Sequence, residues 1–280
     1  MSDPPRCLVC AEKGWPFPVR GEVSLVRCTG CGLEWQHPLP LPGTLESLYG
    51  DDYFERWGAT PAEFESVREM KRDTYSALLD RLKPHRPTGS LLDVGCALGY
   101  LVELAGERGY DAFGLDRNAA AIDRAPETLA ARLHCGELDG QAFPGKAFDV
   151  ITLVDVLEHV ARPDRLLADC RARLEPGGVL VLIVPNAASF TRSLFRRYWP
   201  HYAPEHLYLF GPENLGRLIA SSGYVLVDLK TGFRKTLMGS YLVSYATRVG
   251  GFVPAGLGRF GDWHLRLPTG EMLIIARAVA

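Results

Sequence analysis

The stretch that most constrains this chain is residues 90–116. It opens with the apolar run Leu91-Leu92-Asp93-Val94, turns at Gly95-Cys96-Ala97-Leu98-Gly99, continues in a helical pattern and ends in Ala112-Phe113-Gly114-Leu115-Asp116. A buried strand, a glycine turn, a helix and a second strand ending in an acid make half of a nucleotide-binding βαβ unit. Gly95 and Gly99 lack the Cβ that would keep backbone amides away from a ligand, and both tolerate left-handed dihedrals. Asp116 follows Gly99 by seventeen residues and stands at a strand end, where a carboxylate accepts both hydroxyls of a ribose.

The rest of the chain repeats that alternation. The pattern of Phe64, Val67, Tyr75, Leu78, Leu79 and Leu82 predicts a helix over 61–82, stopped by Pro84 and Pro87. After Asp116 come a helix over 119–131 and a short strand at 132–135. A continuous apolar strand at 148–154, a helix carrying Leu166, Leu167, Cys170 and Leu174, and another apolar strand at 179–184 follow. A helix at 213–222 and strands at 224–229 and 272–279 complete the pattern. Strands alternating with helices predict an α/β fold with a mainly parallel sheet covered on both faces.

The N-terminus reads differently. Cys7-Leu8-Val9-Cys10 and Cys28-Thr29-Gly30-Cys31 are two Cys-x-x-Cys knuckles separated by a hairpin-length insert of seventeen residues. Four thiolates at this spacing close a tetrahedral zinc shell, with structural rather than catalytic zinc, so Cys7, Cys10, Cys28 and Cys31 are the predicted metal ligands. A ribbon this short cannot build its own core, so the metal supplies most of its folding energy. The expected division is a zinc ribbon over 1–40, a linker and helical or lid region over 41–87, and a ligand-binding domain over 88–280. The linker Leu39-Pro40-Leu41-Pro42 is stiff, and Tyr49 and Tyr53 are candidates for packing on the main domain or capping its pocket.

A formal net charge of -2 argues against bulk attraction to nucleic acid or a membrane surface. No apolar run reaches the roughly eighteen residues of a membrane span, and the opening residues lack a signal peptide's apolar core. A cytoplasmic protein is the expectation, and seven cysteines in a reducing compartment are read for metal before disulfides.

Taken together, Leu92-Asp93-Val94-Gly95-Cys96-Ala97-Leu98-Gly99, Gly114-Leu115-Asp116, Phe148-Asp149-Val150-Ile151, Asp155-Val156-Leu157-Glu158-His159-Val160 and Leu174-Glu175-Pro176-Gly177-Gly178 resemble the class I S-adenosylmethionine-dependent methyltransferases. The ribbon resembles the zinc-bearing subgroup of these enzymes, whose members often modify sugars, natural products or small metabolites. The resemblance implies a Rossmann-like seven-stranded sheet, its last strand antiparallel and inserted beside the sixth. It also implies S-adenosyl-L-methionine as cofactor. Gly95 and Gly99 would line the methionine end, with the backbone near Cys96 and Ala97 facing its amino-acid portion; Asp116 would hold the ribose, and Asp93 and Arg117 complete the cofactor-binding set. Glu137 and the backbone of Leu138 would meet the adenine, and Asp155 would sit by the methionine end and the acceptor entrance. Ala97 stands where the usual loop has its middle glycine, and Glu137 where aspartate is more usual.

An oxygen acceptor has to lose its proton, so a general base is required. His159, just past the fourth strand of the sheet, and His206, in the aromatic loop His201-Tyr202-Ala203-Pro204-Glu205-His206, are the candidates, with His206 preferred. Asp155, Glu158 and His159 also fall at helical spacing that would put a divalent-metal donor set on one face. Some ubiquinone-pathway O-methyltransferases look similar there. Arg192, Arg196 and Arg197 interleave with Phe190, Phe195, Tyr198 and Trp199, a stretch suited to a phosphorylated ligand or to stacking on RNA bases.

The function expected is methyl transfer to a small-molecule acceptor, most simply at oxygen. A zinc-ribbon RNA methyltransferase is the nearer alternative, set against the near-neutral charge and the absence of an Asn-Pro-Pro-Tyr type motif. An NAD-dependent oxidoreductase is the more distant one, because its G-x-G-x-x-G fingerprint does not match Gly95, Ala97 and Gly99.

Overall fold

The computed structural model describes residues 4–19, 23–41, 43, 61–139, 141–238 and 264–279. Tyr49 and Tyr53 lie outside them.

The main sheet has seven strands: β4 (Gly89–Val94), β5 (Tyr110–Asp116), β6 (Leu133–Cys135), β7 (Phe148–Val154), β8 (Leu174–Pro185), β10 (Tyr224–Met238) and β11 (His264–Ala278). Their order is β10-β11-β8-β7-β4-β5-β6. β11 lies antiparallel to both β10 and β8, and the pairings from β8 to β6 are parallel. The antiparallel last strand is therefore inserted beside the sixth, as the resemblance implied. Val179 to Val184 of β8 are all buried, which explains why this strand reads as an unbroken apolar run.

Helices cover the sheet. α1 (Pro61–Leu82) buries Val67, Met70, Leu78, Leu79 and Leu82, and α2 (Tyr100–Glu107) buries Leu101, Val102, Leu104 and Ala105. These faces join Leu91, Val150, Val181 and Ile275 in one core layer. On the other face, Leu167 and Cys170 of α4 (Pro163–Arg173) and Leu215, Leu218 and Ile219 of α6 (Pro212–Ser221) pack with Leu92, Ile151, Leu180 and Ile274.

Four elements depart from the sequence expectation. The helix expected over 119–131 is α3 (Ala119–Asp123) followed by a 3-10 turn at Glu127–Leu129, because Pro126 has no N–H to continue the ladder. The strands expected at 224–229 and 272–279 are fifteen residues each, since their polar outer arms pair beyond the apolar stretch, with bulges at Leu226/Asp228, Lys230/Phe233 and Phe233/Lys235. The segment after β7 is a 3-10 turn, Leu157–His159, and α4 begins only at Pro163.

A second sheet joins the ribbon to the main body. β1 (Gly14–Phe17), β2 (Leu25–Cys28) and β3 (Glu34–Gln36) form an antiparallel meander, and β3 then pairs with β9 (Tyr208–Leu209), which lies between α5 (Phe190–Phe195) and α6. Leu33 and Trp35 are buried with Tyr208 and Phe210 in the core that continues beneath the main sheet. No helix among the described residues is long and apolar enough to cross a membrane.

Candidate active site

The donor side is built at the carboxyl ends of β4 and β5. Gly95 and Cys96 both donate their N–H to the Leu115 carbonyl, at 2.7 and 3.1 Å, so the glycine turn is pinned to the neighbouring strand. Gly95 has φ 80°, and a Cβ there would lie 2.4 Å from Val156 Cγ2. Glycine is thus required both by the dihedral and by the contact that seats the turn against the segment after β7. Ala97 also adopts a left-handed conformation, with φ 47°, although it carries a Cβ.

Asp116 locks this geometry. Its carboxylate accepts the Ala97 N–H at 2.7 Å through one oxygen and the Asn118 N–H at 2.9 Å through the other. Each oxygen keeps a further lone pair for a ligand hydroxyl. Glu137, at the end of β6, is exposed and ion-paired with Arg117 at 3.3 Å. Asp93 is buried at the end of β4 and accepts the Thr152 hydroxyl at 2.6 Å. Burial pushes its carboxyl up to about 7, with the nearby Asp116 charge adding to the effect.

The acceptor side lies past β7. Asp155, with φ 56°, receives Lys235 Nζ at 2.6 and 2.7 Å, and the same ammonium lies 3.3 Å from Glu271. Burial alone would raise the Asp155 carboxyl, but the Lys235 and Lys71 charges outweigh it and hold it near 2. Burial and the Lys235 charge act the other way on Lys71, whose ammonium is lowered from its ordinary range.

Three imidazoles cluster beside this ion pair. The His159 and His206 rings meet edge to face at 4.7 Å, and His201 stacks on His206 at 5.7 Å. His159 Nδ1 is 2.9 Å from the Glu205 carbonyl and His206 Nδ1 is 2.8 Å from the His201 carbonyl. A carbonyl only accepts, so in each ring Nδ1 carries the proton and Nε2 the lone pair. Burial lowers both pKa values, and for His206 the neighbouring His159 and His201 lower it further. The neutral form, able to take a proton, is therefore the resident one at neutral pH.

The structure brings His159 and His206 together but separates Asp155 from the donor set expected on one helical face. That segment is a 3-10 turn, and Asp155 is taken by Lys235. Instead Glu158, His159 and His206 each offer one ligand atom, all within 4.8 Å of one another. Glu158 is 1% exposed, its carboxyl is raised by burial and by the Asp155 charge, and its Oε2 has no hydrogen-bond partner. These three are the residues on this side of the molecule that could hold a cation.

Sequence reasoning missed Lys235, Glu271, His201 and Lys71. Glu271 carried a readable signal, a single carboxylate immediately before the buried run of β11. Lys235 carried none, since a lysine in a polar strand arm has no marker of burial.

In the ribbon, the sulfurs of Cys7, Cys10, Cys28 and Cys31 also lie within 4.8 Å of one another, with Cys7 3.6 Å from Cys31 and Cys10 3.3 Å from Cys28. Tetrahedral zinc with bonds of about 2.3 Å separates its sulfurs by just under 4 Å. Backbone N–H groups of Val9, Gly30 and Cys31 point at Cys7 or Cys28 sulfur from 3.3 to 3.4 Å, as they do toward thiolates. The donor set fits a structural metal.

The ribbon also braces the acceptor loop. Gln36 Nε2 donates to the Pro204 and His206 carbonyls at 2.8 and 2.9 Å, and Asn214 donates to the Cys31 carbonyl at 3.2 Å.

A family model described as a methyltransferase domain matches residues 67–229, more than half of the chain. The ubiquinone biosynthesis O-methyltransferase of Coxiella burnetii is 34% identical over 152 residues, covering 50% of this chain and 64% of that protein. The chain thus spans less than two thirds of the length of the curated relatives it matches first. Among solved structures, magnesium protoporphyrin IX methyltransferase from Synechocystis PCC 6803, with bound S-adenosylhomocysteine, aligns with TM-score 0.55 at 12% identity, over 84% of this chain and 99% of that one. The 1,6-didemethyltoxoflavin-N1-methyltransferase of Burkholderia thailandensis aligns with TM-score 0.54 at 15% identity, over 95% of this chain and 99% of that one. At such identities the likeness is one of fold. The glycine turn, the Asp116 clasp, the inserted antiparallel β11 and the family match lead to one conclusion: the chain belongs to the methyltransferase-domain family.

Proposed function

We propose that this protein transfers a methyl group from S-adenosylmethionine to an oxygen of a small-molecule acceptor, with His206 as general base and a structural zinc in the ribbon. The observation that carries the reading is the neutral histidine pair, each ring giving its Nδ1–H to a backbone carbonyl, which leaves Nε2 as the basic nitrogen of His206. His159 follows the segment that packs against the glycine turn through Val156 and Gly95, and the His206 ring meets the His159 ring at 4.7 Å. The Coxiella relative is named an O-methyltransferase of ubiquinone biosynthesis, which supports oxygen as the acceptor atom.

S-adenosylmethionine supplies a methyl group already activated by its sulfonium. The chain's task is then alignment, exclusion of water and removal of one proton. Asp116 would accept from the ribose hydroxyls, and the backbone of the glycine turn, held in place by Leu115 and Asp116, would pass along the methionine end with Asp93, Cys96 and Ala97 around it. Glu137, Leu138 and Arg117 flank the adenine. As the acceptor oxygen forms its bond to the methyl carbon and the sulfur–carbon bond breaks, the hydroxyl proton passes to His206 Nε2. His159 backs that ring, and Asp155, fixed by Lys235, keeps a negative charge beside the developing imidazolium. In the ribbon, Cys7, Cys10, Cys28 and Cys31 would hold zinc, whose contribution is folding energy rather than reaction chemistry.

Calorimetry of the purified chain with S-adenosylmethionine and with NAD tests the donor. Saturable binding of the former is expected, and binding of NAD alone would sink the proposal. For the base, His206→Ala is expected to slow methyl transfer from labelled donor into a panel of hydroxylated small molecules by roughly 10²- to 10⁴-fold with donor affinity retained. An unchanged rate would remove His206 from the mechanism.

A further inference from the structure

A cleft of about 230 Å³ opens between the ribbon hairpin and α5, lined by Phe17, Arg192, Ser193, Arg196, Arg197 and Tyr202 among others. No described lining residue is acidic, and three of the lining residues are arginines. Glu34, the carboxylate that Arg192 contacts, is 1% exposed, and one of its oxygens takes Arg192 at 2.5 Å and Arg27 at 2.5 and 2.7 Å.

The three arginines are held differently. Arg192 is fixed, donating also to the Tyr202 hydroxyl at 2.9 Å and the Ala187 carbonyl at 2.8 Å. Arg196 ends α5 with φ 50° and ψ -124°, a conformation that side-chain-bearing residues rarely adopt, and its guanidinium has no ion-pair partner among the described residues. Arg197 gives one hydrogen bond, to the Tyr198 hydroxyl at 3.2 Å, and keeps its other donors. A fixed charge flanked by two guanidiniums with unspent donors matches the tetrahedral, doubly charged oxygens of a phosphate, which planar N–H forks bind in pairs.

The cleft is also one wall away from the histidines. Tyr202 meets Trp199 at 5.4 Å, Trp199 meets His201 at 4.7 Å, and His201 stacks on His206. One loop thus presents Tyr202 to the cleft and His206 to the acceptor side.

We propose that this cleft is a phosphate subsite, in which Arg196 and Arg197 donate to the oxygens of a phosphate or diphosphate group and Arg192 supplies a fixed positive charge. The group is carried by an organic ester or arrives as a free anion. The full-length, metal-loaded chain is titrated calorimetrically with inorganic pyrophosphate and with uridine diphosphate. Saturable binding of at least one is expected, weakened about tenfold or more by Arg196→Ala and by Arg197→Ala, in line with the loss of a charge-assisted hydrogen bond. Tighter binding of uridine diphosphate identifies an ester, and equal binding a free anion.

S-adenosylmethionine affinity, measured on the same samples, reports folding and separates this inference from the methyl-transfer reading. Arg165→Ala on α4, whose side chain is 77% exposed, serves as the control. The absence of saturable binding by either probe, or equal weakening in Arg165→Ala, overturns the subsite.

Discussion

The two sides of the site are built from contacts of very different span. On the donor side Asp116 clasps Ala97 across nineteen residues and Asn118 across two, all within one βαβ unit. On the acceptor side Gln36 reaches His206 across 170 residues, Arg192 reaches Glu34 across 158, and Lys235 reaches Asp155 across eighty. The donor side is a local motif that any chain carrying it can assemble. The acceptor side exists only once ribbon, loop and terminal hairpin have met. This predicts that the two sides fail separately, donor binding through local substitutions and turnover through remote ones.

The largest separation is expected on stripping the ribbon's metal or replacing Cys28 by Ser. A structural zinc site carries about 10 kcal/mol or more of apparent folding free energy in small zinc modules. Its loss should release β3 from β9, so hydrogen exchange at Tyr208 and Leu209 rises and turnover collapses, while donor affinity stays within about threefold. Equal loss of donor binding would show that the halves are coupled.

Asp116→Ala is the converse. It removes the acceptor for two backbone amides and for the ribose. With charge-assisted bonds contributing about 1.5–3 kcal/mol each, donor affinity should fall roughly 100-fold or more. Exchange in the ribbon should not change, and a loosened ribbon would contradict the division.

Gln36→Leu should act more mildly. It leaves the Pro204 and His206 carbonyls without their buried donor, at about 1–3 kcal/mol each where water cannot replace it. Turnover should fall about tenfold at unchanged donor affinity, and Gln36→Glu, which keeps the shape but not the two N–H bonds, should not restore it.

The smallest effect concerns pH. Burial lowers the pKa of His206 and His159, so below about pH 6.5 the unfolded chain binds protons that the folded chain refuses. Stability is therefore full above that value and declines as pH falls below it. Denaturant midpoints at pH 7.5 and 5.5 measure it, and a His206→Asn chain should show a shallower decline.

Much of this was legible in the chain itself. The strand, turn, helix and acid of residues 90–116 are specified by short-range patterning, and the unbroken apolar strands β7 and β8 announce burial on both faces. The four cysteines read as one donor set because two Cys-x-x-Cys knuckles at that spacing suit a tetrahedral metal shell. The register of the histidines was not legible. In the sequence His159 stands at helical spacing from Asp155, whereas α4 begins only at Pro163 and His159 lies in a 3-10 turn facing His206. Nor did the polar arms of β10 and β11 advertise that Lys235 and Glu271 would be buried against Asp155.

The amino-acid sequence by itself determined the sheet, the donor loop and the metal shell, because each rests on the periodicity of one element or on a few neighbouring residues. Only the tertiary structure decided that His159 and His206 meet, what fixes Asp155 and how the ribbon holds the His206 loop. Those depend on side chains brought together from opposite ends of the chain, whose pairing is set by packing of whole elements and leaves no local trace.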